Sequence, residues 1–215
     1  MKRTIDYSLY LVTDRKVTDK KGRDFYEAVE EALQAGITLV QLREKDVTTE
    51  ERIAIGRKVK ILCDHYDVPL LVDDDIACAK AIGADGVHLG QSDESLDRGR
   101  QELGNDAIIG ISAHNLEEAQ AALRGGADYL GVGALYPTET KKDASCLGLG
   151  PFREIIAAIS LPIVGIGGIG KKEFPEVMKC GAAGCAMISS ILGAEDITAT
   201  VKAMKMAYEA LRKGE

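Results

Sequence analysis

The segment Gly83–Gly90 reads GADGVHLG, and its first four residues end one predicted helix and open the next predicted strand. Similar segments recur as GADYLGVG at Gly126–Gly133 and GAAGCAM at Gly181–Met187, and AGIT at Ala35–Thr38 is a looser version. Glycine ends helices well because it adopts the left-handed backbone conformation without strain. These junctions precede every second predicted strand, which indicates a βαβα unit repeated four times.

The chain as a whole alternates short apolar runs with amphipathic helical patterns. The apolar runs are nearly continuous, as is typical of parallel strands that are buried on both faces. We predict eight strands, at Ser8–Asp14, Thr38–Arg43, Leu70–Asp74, Gly86–Gly90, Ala107–Ser112, Tyr129–Gly133, Pro162–Gly167 and Gly184–Ser189. Eight βα units in 215 residues favour the α/β class and a (β/α)8 TIM barrel, with residues 1–215 as a single catalytic domain. A doubly wound open sheet is the alternative.

The composition is that of an acidic globular protein. Its 27 basic and 34 acidic residues give a formal net charge of −7, which disfavours a general nucleic-acid surface. There is no signal peptide and no apolar run of about 20 residues, so we expect a cytoplasmic protein without a membrane partner. The five cysteines are an odd number without CxxC spacing, which predicts reduced thiols. No HxH or HExxH spacing is present, so zinc is not expected.

Seven of the eight predicted strands end in polar or glycine-rich residues. The C-terminal strand ends of a TIM barrel form its active-site face, so we expect these residues on one rim. Asp74 and Asp93 end neighbouring strands and could share Mg²⁺, which favours one or two carboxylates together with ligand phosphates. The alternative is that Asp74 or Asp75 caps the next helix and that Asp93 is a solvated turn residue.

A polar loop follows the sixth predicted strand. The run Leu130–Asp143, LGVGALYPTETKKD, begins as a buried strand and breaks at Pro137. The hydroxyl groups of Thr138 and Thr140 and the ammonium group of Lys141 suit an anion, most plausibly phosphate. A solvated turn that carries lysines is the alternative.

A second set of phosphate donors is expected after the last two strands. Gly167 and Gly168 would let backbone N–H groups approach a phosphate, together with the backbone near Ile188 and Ser189. A packing role for the two glycines is the alternative.

The cations near the rim connect these predicted sites. Arg43, Lys45 and Lys141 would face the same phosphate groups as the metal, Arg43 as a bidentate fork and the lysines as point charges. Two anion sites and a metal on one rim suggest a reaction that joins two phosphorylated small molecules, with pyrophosphate as the leaving group. His88 lies inside a strand, and we predict a satisfied core or rim residue rather than a ligand.

Seven segments of the chain resemble the thiamine phosphate synthase family. They occur in the order of that family and span most of the chain, and VQLREK together with PTETK is a specific pair. The segments are LYLVTDR at 9–15, VQLREKD at 40–46, GADGVHLGQSD at 83–93, IGISAHN at 109–115, GADYLGVGALYPTETKKD at 126–143, PIVGIGGI at 162–169 and GAAGCAMISS at 181–190.

The resemblance implies a Mg²⁺-dependent barrel enzyme that joins hydroxymethylpyrimidine diphosphate to a thiazole phosphate, carboxylated or not, and releases pyrophosphate. It implies metal ligation by Asp74 and Asp93. It implies pyrimidine-diphosphate contacts from Gln41, Leu42, Arg43, Glu44, Lys45, Asp73, Ser112 and Lys141, of which Arg43, Lys45, Ser112 and Lys141 are the expected catalytic residues. It implies thiazole-phosphate contacts from Thr138, Glu139, Thr140, Gly168, Ile188 and Ser189.

One segment departs from the family pattern. The family usually reads Asn-Asp-Arg after the third strand, whereas Asp73, Asp74 and Asp75 stand here. The metal aspartate is kept, but Asp73 cannot donate the hydrogen bond that an Asn would donate. It also places a further negative charge near the expected diphosphate.

The expected chemistry is a dissociative displacement that needs no protein nucleophile, with the metal and cations stabilising the departing pyrophosphate. A phosphosugar isomerase or a thiazole tautomerase on the same fold is one alternative, and it would not need the metal aspartates. A non-catalytic paralogue that senses thiamine intermediates is another, favoured only by the Asp73–Asp75 run. The expected partners are small phosphorylated molecules, and the sequence specifies no oligomeric state.

Overall fold

Eight parallel strands form a closed barrel in the order β1 to β8. The computed structural model describes residues 4–138 and 146–214. The barrel closes because β1 pairs with β8, with Tyr10 opposite Ala186. The strands are β1 (Leu9–Val12), β2 (Leu39–Leu42), β3 (Leu70–Asp73), β4 (Gly86–Leu89), β5 (Ile108–Ala113), β6 (Tyr129–Val132), β7 (Ile163–Ile166) and β8 (Gly184–Met187). The predicted TIM barrel is confirmed, and the open-sheet alternative is wrong.

Helices follow the strands and form the outer layer of the barrel. All eight predicted strands are present. Seven of them are shorter than predicted, and β5 has the predicted length but begins and ends one residue later. The helices are α1 (Arg15–Lys20), α2 (Phe25–Ala35), α3 (Thr49–His65), α4 (Ile76–Ile82), α5 (Leu96–Leu103), α6 (Leu116–Arg124), α7 (Leu149–Ala158), α8 (Glu173–Lys179), α9 (Ser189–Leu192) and α10 (Ile197–Lys213).

The junction glycines of the sequence repeat adopt the backbone conformation that the repeat predicts. Gly36, Gly83, Gly126 and Gly181 have φ values of 117°, 65°, 83° and 95°. A side chain at such a φ would be strained, so glycine lets the chain leave each helix and enter the following strand. The repeat therefore corresponds to real helix ends before β2, β4, β6 and β8.

Two apolar layers stabilise the barrel. Side chains that point outward from the strands pack against the helices, and those that point inward fill the barrel interior. The interior layer consists of Tyr7, Tyr10, Val12, Leu39, Leu71, Ile108, Tyr129, Val164 and Ala186. Two of these residues, Tyr10 and Tyr129, are completely enclosed yet carry hydroxyl groups, so the interior contains polar atoms that need partners.

The cysteines are free thiols that differ in exposure. Cys63, Cys78 and Cys185 are buried free thiols, Cys180 is half-buried and Cys146 is exposed. Burial raises the pKa of the Cys63 and Cys78 thiols to about 12, which keeps them protonated.

Within residues 4–138 and 146–214, no helix has both the length and the apolar character that a bilayer crossing requires.

Replacing Gly86 with Ala should destabilise the barrel because β4 and β5 approach very closely there. A Cβ atom at Gly86 would lie 1.8 Å from the backbone oxygen of Ile108, which pairs with it in the sheet. We expect the free energy of unfolding in urea to fall by about 3 kcal/mol, at the upper end of the overpacking range. Gly150→Ala is the control: no atom lies within 4 Å of that Cβ position, and Ala should be neutral or stabilising within α7. Equal stability of the two variants would contradict this account.

Candidate active site

Basic and acidic side chains from the C-terminal ends of β2 and β3 meet at one rim of the barrel. The Nζ atom of Lys45 lies 2.9 Å from Oδ2 of Asp73 and also pairs with Asp74. The Nε atom of Arg43 lies 3.8 Å from the same Asp73 oxygen, and its NH1 lies 3.3 Å from Asp14. Two of the three predicted cations are therefore gathered and paired with carboxylates, and the third, Lys141, lies outside the described residues.

Asp74 and Asp93 also meet at this rim, and their carboxyl groups hydrogen-bond each other. Asp74 has a left-handed φ of 61°, and its N–H donates to the backbone oxygen of His88 on β4 at 2.9 Å. Asp93 accepts a hydrogen bond from the N–H of Gly90 at 2.6 Å. The backbone thus directs two acidic side chains from neighbouring strand ends toward each other.

The two carboxyl groups differ in acidity. Burial and the hydrogen bond to Asp74 raise the pKa of Asp93. Burial also acts to raise the pKa of Asp74, but hydrogen bonds from Asp93 and Lys45 outweigh it and lower that pKa. Asp74 is therefore the stronger acid of the pair.

This carboxyl pair fits a divalent cation. Two carboxylates close enough to share a proton can instead share Mg²⁺, which needs only one or two carboxylates beside water and phosphate oxygens. In the described parts of the chain, no group of three or more His, Cys, Asp or Glu side chains has the geometry to hold a metal. An ion at this pair would therefore complete its coordination with water and with ligand oxygens.

Asp75, the third aspartate of the run, has a structural role. Its carboxylate accepts hydrogen bonds from the N–H of Cys78 at 2.7 Å, as the N-cap of α4, and from the hydroxyl of Thr49 at 3.0 Å. It also forms an ion pair with Arg52. The helix-capping alternative that we considered for Asp74 or Asp75 therefore applies to Asp75.

Asp73, which stands where the family pattern has Asn, pairs with two of the three predicted phosphate-binding cations, Arg43 and Lys45. Only 11% of its side chain is exposed. Burial and the charge of Asp74 raise the pKa of Asp73, while Lys45 and Arg43 oppose the increase. A diphosphate that binds these cations would have to compete with Asp73.

Leu42 and Glu44 are arranged differently from the other predicted pyrimidine-diphosphate contacts. The Leu42 side chain is fully buried in the layer between the strands and the helices, so only its backbone could contact a ligand. Oε2 of Glu44 accepts a hydrogen bond from Nε of Arg15 at 2.7 Å. Its other oxygen is buried and has no hydrogen-bond partner in the described ranges. Burial raises the pKa of Glu44, and Arg15 opposes the increase.

A cavity of about 380 Å³ adjoins this cluster. It lies between the loops that follow β2 and β3 and the first turns of α3 and α4. Its lining residues are Glu44, Lys45, Thr49, Arg52, Asp73, Asp74, Asp75, Ala77 and Glu94. The rim thus offers open volume directly beside the paired cations and carboxylates.

The barrel interior connects Gln41 with Ser112 through three other side chains. Gln41 donates to the Tyr10 hydroxyl at 2.6 Å, which contacts the Tyr129 hydroxyl at 2.8 Å. His88 contacts that hydroxyl through Nδ1 at 2.8 Å and Ser112 through Nε2 at 3.0 Å. His88 is thus a satisfied residue of the core, as its position within a strand suggested. The sequence reading missed the two tyrosines, although both lie in predicted strands.

The predicted thiazole-phosphate residues lie partly outside the described residues. Glu139, Thr140 and Lys141 belong to the segment 139–145 and are not described. Gly168 has a φ of 67°, and a Cβ there would lie 2.5 Å from the backbone oxygen of Pro137. This glycine therefore allows the loop after β7 to lie against the loop after β6, which supports the packing alternative without excluding a ligand. Ile188 and Ser189 stand at the start of α9.

The chain is similar to known proteins over most of its length. A model of the thiamine monophosphate synthase family matches residues 9–191. A thiamine-phosphate synthase of Clostridium acetobutylicum is 48% identical over 202 residues, which cover 94% of this chain and 95% of that protein. One from Clostridium tetani is 44% identical over 195 residues, covering 91% and 92%.

Two solved structures are similar to this chain in fold. The thiamine phosphate pyrophosphorylase from Pyrococcus furiosus superposes with a TM-score of 0.87 at 38% identity, covering 96% of this chain and 97% of that one. A 3-hexulose-6-phosphate synthase superposes with a TM-score of 0.71 at 17% identity, covering 93% and 99%, which is a likeness of fold alone.

Asp75→Ala and Asp74→Asn should have different effects on stability. Asp75→Ala removes the N-cap of α4 and leaves Arg52 without its carboxylate, so we expect the free energy of unfolding to fall by about 2 kcal/mol. Asp74→Asn keeps a residue type that tolerates the left-handed φ, and we expect a change within about 1 kcal/mol. Urea unfolding measures both values. A larger loss for Asp74→Asn than for Asp75→Ala would contradict the assigned roles.

Proposed function

The chain belongs to the thiamine monophosphate synthase family, and we propose that it joins hydroxymethylpyrimidine diphosphate to a thiazole phosphate, giving thiamine phosphate and pyrophosphate. The observation that carries this proposal is the meeting of Asp74, Asp93, Arg43 and Lys45 at one rim of the barrel. The protein is accordingly a transferase that acts on small phosphorylated molecules. The proposal includes a cytoplasmic location without nucleic-acid or membrane partners.

Arg43 and Lys45 bind the diphosphate of the pyrimidine substrate in this proposal, and Lys141 joins them. Both described cations lie at the rim, where each pairs with Asp73. Arg43 can present two parallel N–H groups to a phosphate, and Lys45 acts as a compact charge. Gln41 and Ser112 contact the same substrate from the interior side of the rim.

Asp74 and Asp93 hold Mg²⁺ in this proposal. Their shared hydrogen bond brings oxygen ligands from two neighbouring strand ends to one point, which supports the assignment. When bound, the ion neutralises negative charge on the diphosphate and lowers the barrier to its departure. Lys45 contacts Asp74, so the same residue links the metal ligands to the phosphate-binding cations.

The bond changes require no protein nucleophile. The carbon–oxygen bond between the pyrimidine methylene and the diphosphate breaks, and pyrophosphate leaves with the electron pair. The electron-rich aminopyrimidine supports the positive charge on the methylene carbon, and the thiazole nitrogen then forms the new carbon–nitrogen bond. Arg43, Lys45 and Lys141 stabilise the charge that develops on the leaving group, which is electrostatic catalysis by preorganised groups.

The thiazole phosphate binds between the loops after β6, β7 and β8 in this proposal. Its contacts are Thr138, Glu139, Thr140, Gly168, Ile188 and Ser189. The close approach of Gly168 to Pro137 supports this placement, because it brings two of the three loops together. An isomerase or tautomerase would use such a phosphate site, but it would leave the carboxyl pair and the cations of the opposite loops without a role.

The direct test is incubation of the protein with both substrates, with and without Mg²⁺, followed by measurement of thiamine phosphate and pyrophosphate. We expect stoichiometric formation of the two products with Mg²⁺ and none in thoroughly chelated buffer. Ligand binding without turnover would identify a sensor instead. Phosphosugar or thiazole isomerisation without pyrophosphate release would identify an isomerase.

Asp93→Asn should raise the Mg²⁺ concentration needed for half-maximal activity by about tenfold or more, because one negatively charged ligand is lost. Asp64→Asn is the matched control, since it makes the same change at an exposed position at the end of α3. Initial rates over a Mg²⁺ series measure the effect. The metal assignment is wrong if the two variants have the same Mg²⁺ requirement.

Asp73→Asn should lower the KM for the pyrimidine diphosphate by about threefold, because Arg43 and Lys45 would no longer be held by a competing carboxylate. The side chains have nearly the same shape, so the fold should be unaffected. Steady-state kinetics at saturating thiazole phosphate measure the change. An increase in KM would mean that Asp73 itself contributes to substrate binding.

A further inference from the structure

A continuous hydrogen-bonded chain crosses the barrel interior from β2 to β5. It runs from Gln41 through Tyr10, Tyr129 and His88 to Ser112, with distances of 2.6, 2.8, 2.8 and 3.0 Å between successive partners. Both ends of the chain are residues that contact the pyrimidine diphosphate in the proposed function. The three central residues are far apart in the sequence and have no role in that proposal.

The chemistry of the groups allows one arrangement in which every member of the chain donates to the next, from Gln41 to Ser112. The amide nitrogen of Gln41 can only donate, so the Tyr10 oxygen accepts from it. In the arrangement with one direction, the Tyr10 hydrogen points at the Tyr129 oxygen. Tyr129 then accepts from Tyr10 and gives its own hydrogen to Nδ1 of His88. A neutral imidazole that accepts at Nδ1 carries its hydrogen at Nε2, and this hydrogen points at the Ser112 oxygen.

We propose that Tyr10, Tyr129 and His88 are positioning residues that hold His88 in the Nε2–H tautomer and thereby leave the Ser112 hydroxyl hydrogen free to bind the pyrimidine diphosphate. Ser112 receives a hydrogen bond from His88, so its own hydrogen is directed away from the imidazole. Only the identity of the acceptor rests on the proposed function. The tautomer and the direction of the chain are the part of the proposal that concerns the protein alone.

The surroundings of the chain keep its atoms in place. Tyr10 and Tyr129 are fully enclosed, and only 8% of His88 is exposed. The rings of Tyr7 and His88 pack against the Tyr129 ring at 4.8 and 5.4 Å between centroids. Burial raises the pKa of both Tyr10 and Tyr129 above the ordinary value, so each remains a hydroxyl with one hydrogen to donate.

Two glycines of the neighbouring strands make room for this arrangement. A Cβ at Gly110 would lie 2.2 Å from the Tyr129 ring, and one at Gly131 would lie 2.9 Å from Cε1 of His88. The Ser112 end of the chain is fixed as well, because the side-chain amide of Gln91 donates to the backbone oxygen of Ser112 at 2.6 Å. Two positions that admit no larger residue and one hydrogen bond therefore help to hold the chain in place.

Nitrogen-15 NMR of the histidine side chains tests the tautomer without reference to turnover. The protein has three histidines, and the exposed His65 and His114 serve as internal references. We expect His88 at neutral pH to carry its hydrogen on Nε2, with Nδ1 unprotonated. A His88 that is protonated at Nδ1, alone or together with Nε2, would overturn the proposal. This spectrum decides the question even if a variant fails to fold.

Tyr129→Phe removes the donor to Nδ1, and the His88 signals should then shift toward the Nδ1–H form. The kcat of the Tyr129→Phe variant should fall by about fivefold or more, because Ser112 would now donate to His88 rather than to substrate. In a Ser112→Ala background, Tyr129→Phe should lower kcat by less than about twofold, because Tyr129 acts through Ser112. Tyr7→Phe is the matched control and should leave the tautomer and kcat unchanged.

Two outcomes would reject the positioning role. One is an equal loss of kcat from Tyr129→Phe with and without Ser112, which would indicate a general packing defect. The other is an equal loss from Tyr7→Phe, which removes a hydroxyl from the same interior layer outside the chain. Absence of any thiamine phosphate synthesis by the wild-type protein would instead count against the proposed function and would leave the NMR result standing.

Discussion

The contact between the Asp74 and Asp93 carboxyl groups is the interaction on which the proposed chemistry depends. Two acidic side chains repel each other when both are ionised, so they meet only because the backbone requires it. The pairing of β3 with β4 sets Asp73 opposite His88, and the left-handed turn at Asp74 directs the next side chain toward the end of β4. The pairing of β3 with β4 thus brings together two carboxyl groups from residues 19 positions apart (93 − 74), the pair that we propose as the cation site.

The same rim shows how a protein with a net charge of −7 can hold a highly charged anion. Ion pairs with Asp14, Asp73 and Asp74 hold Arg43 and Lys45 at this rim. In the proposed function, a diphosphate exchanges with these carboxylates and meets cations that are already oriented. Preorganisation of this kind is more effective in catalysis than charge recruited from flexible side chains. The interior chain that ends at Ser112 extends the same principle to a neutral hydroxyl.

The sequence predicted the barrel well because its signals are local. Near-continuous apolar runs and junction glycines such as Gly83 mark strands and helix ends without reference to the rest of the chain. The separate roles of Asp74 and Asp75 could not be read in this way, because they depend on one backbone angle and on the position of Arg52. The hydrogen bond between Tyr10 and Tyr129 was missed since it spans 119 residues and exists only once the barrel is closed. Strand alternation could have indicated that both tyrosines point inward.

The most direct test of the central claim is a crystal structure of the protein with Mn²⁺ and pyrophosphate, in which anomalous scattering locates the metal. We predict one peak within about 2.3 Å of oxygen atoms from both Asp74 and Asp93, with pyrophosphate oxygens completing the shell and contacting Arg43 and Lys45. A peak bound to other side chains, or pyrophosphate bound at the rim without metal between these two carboxylates, would contradict the account.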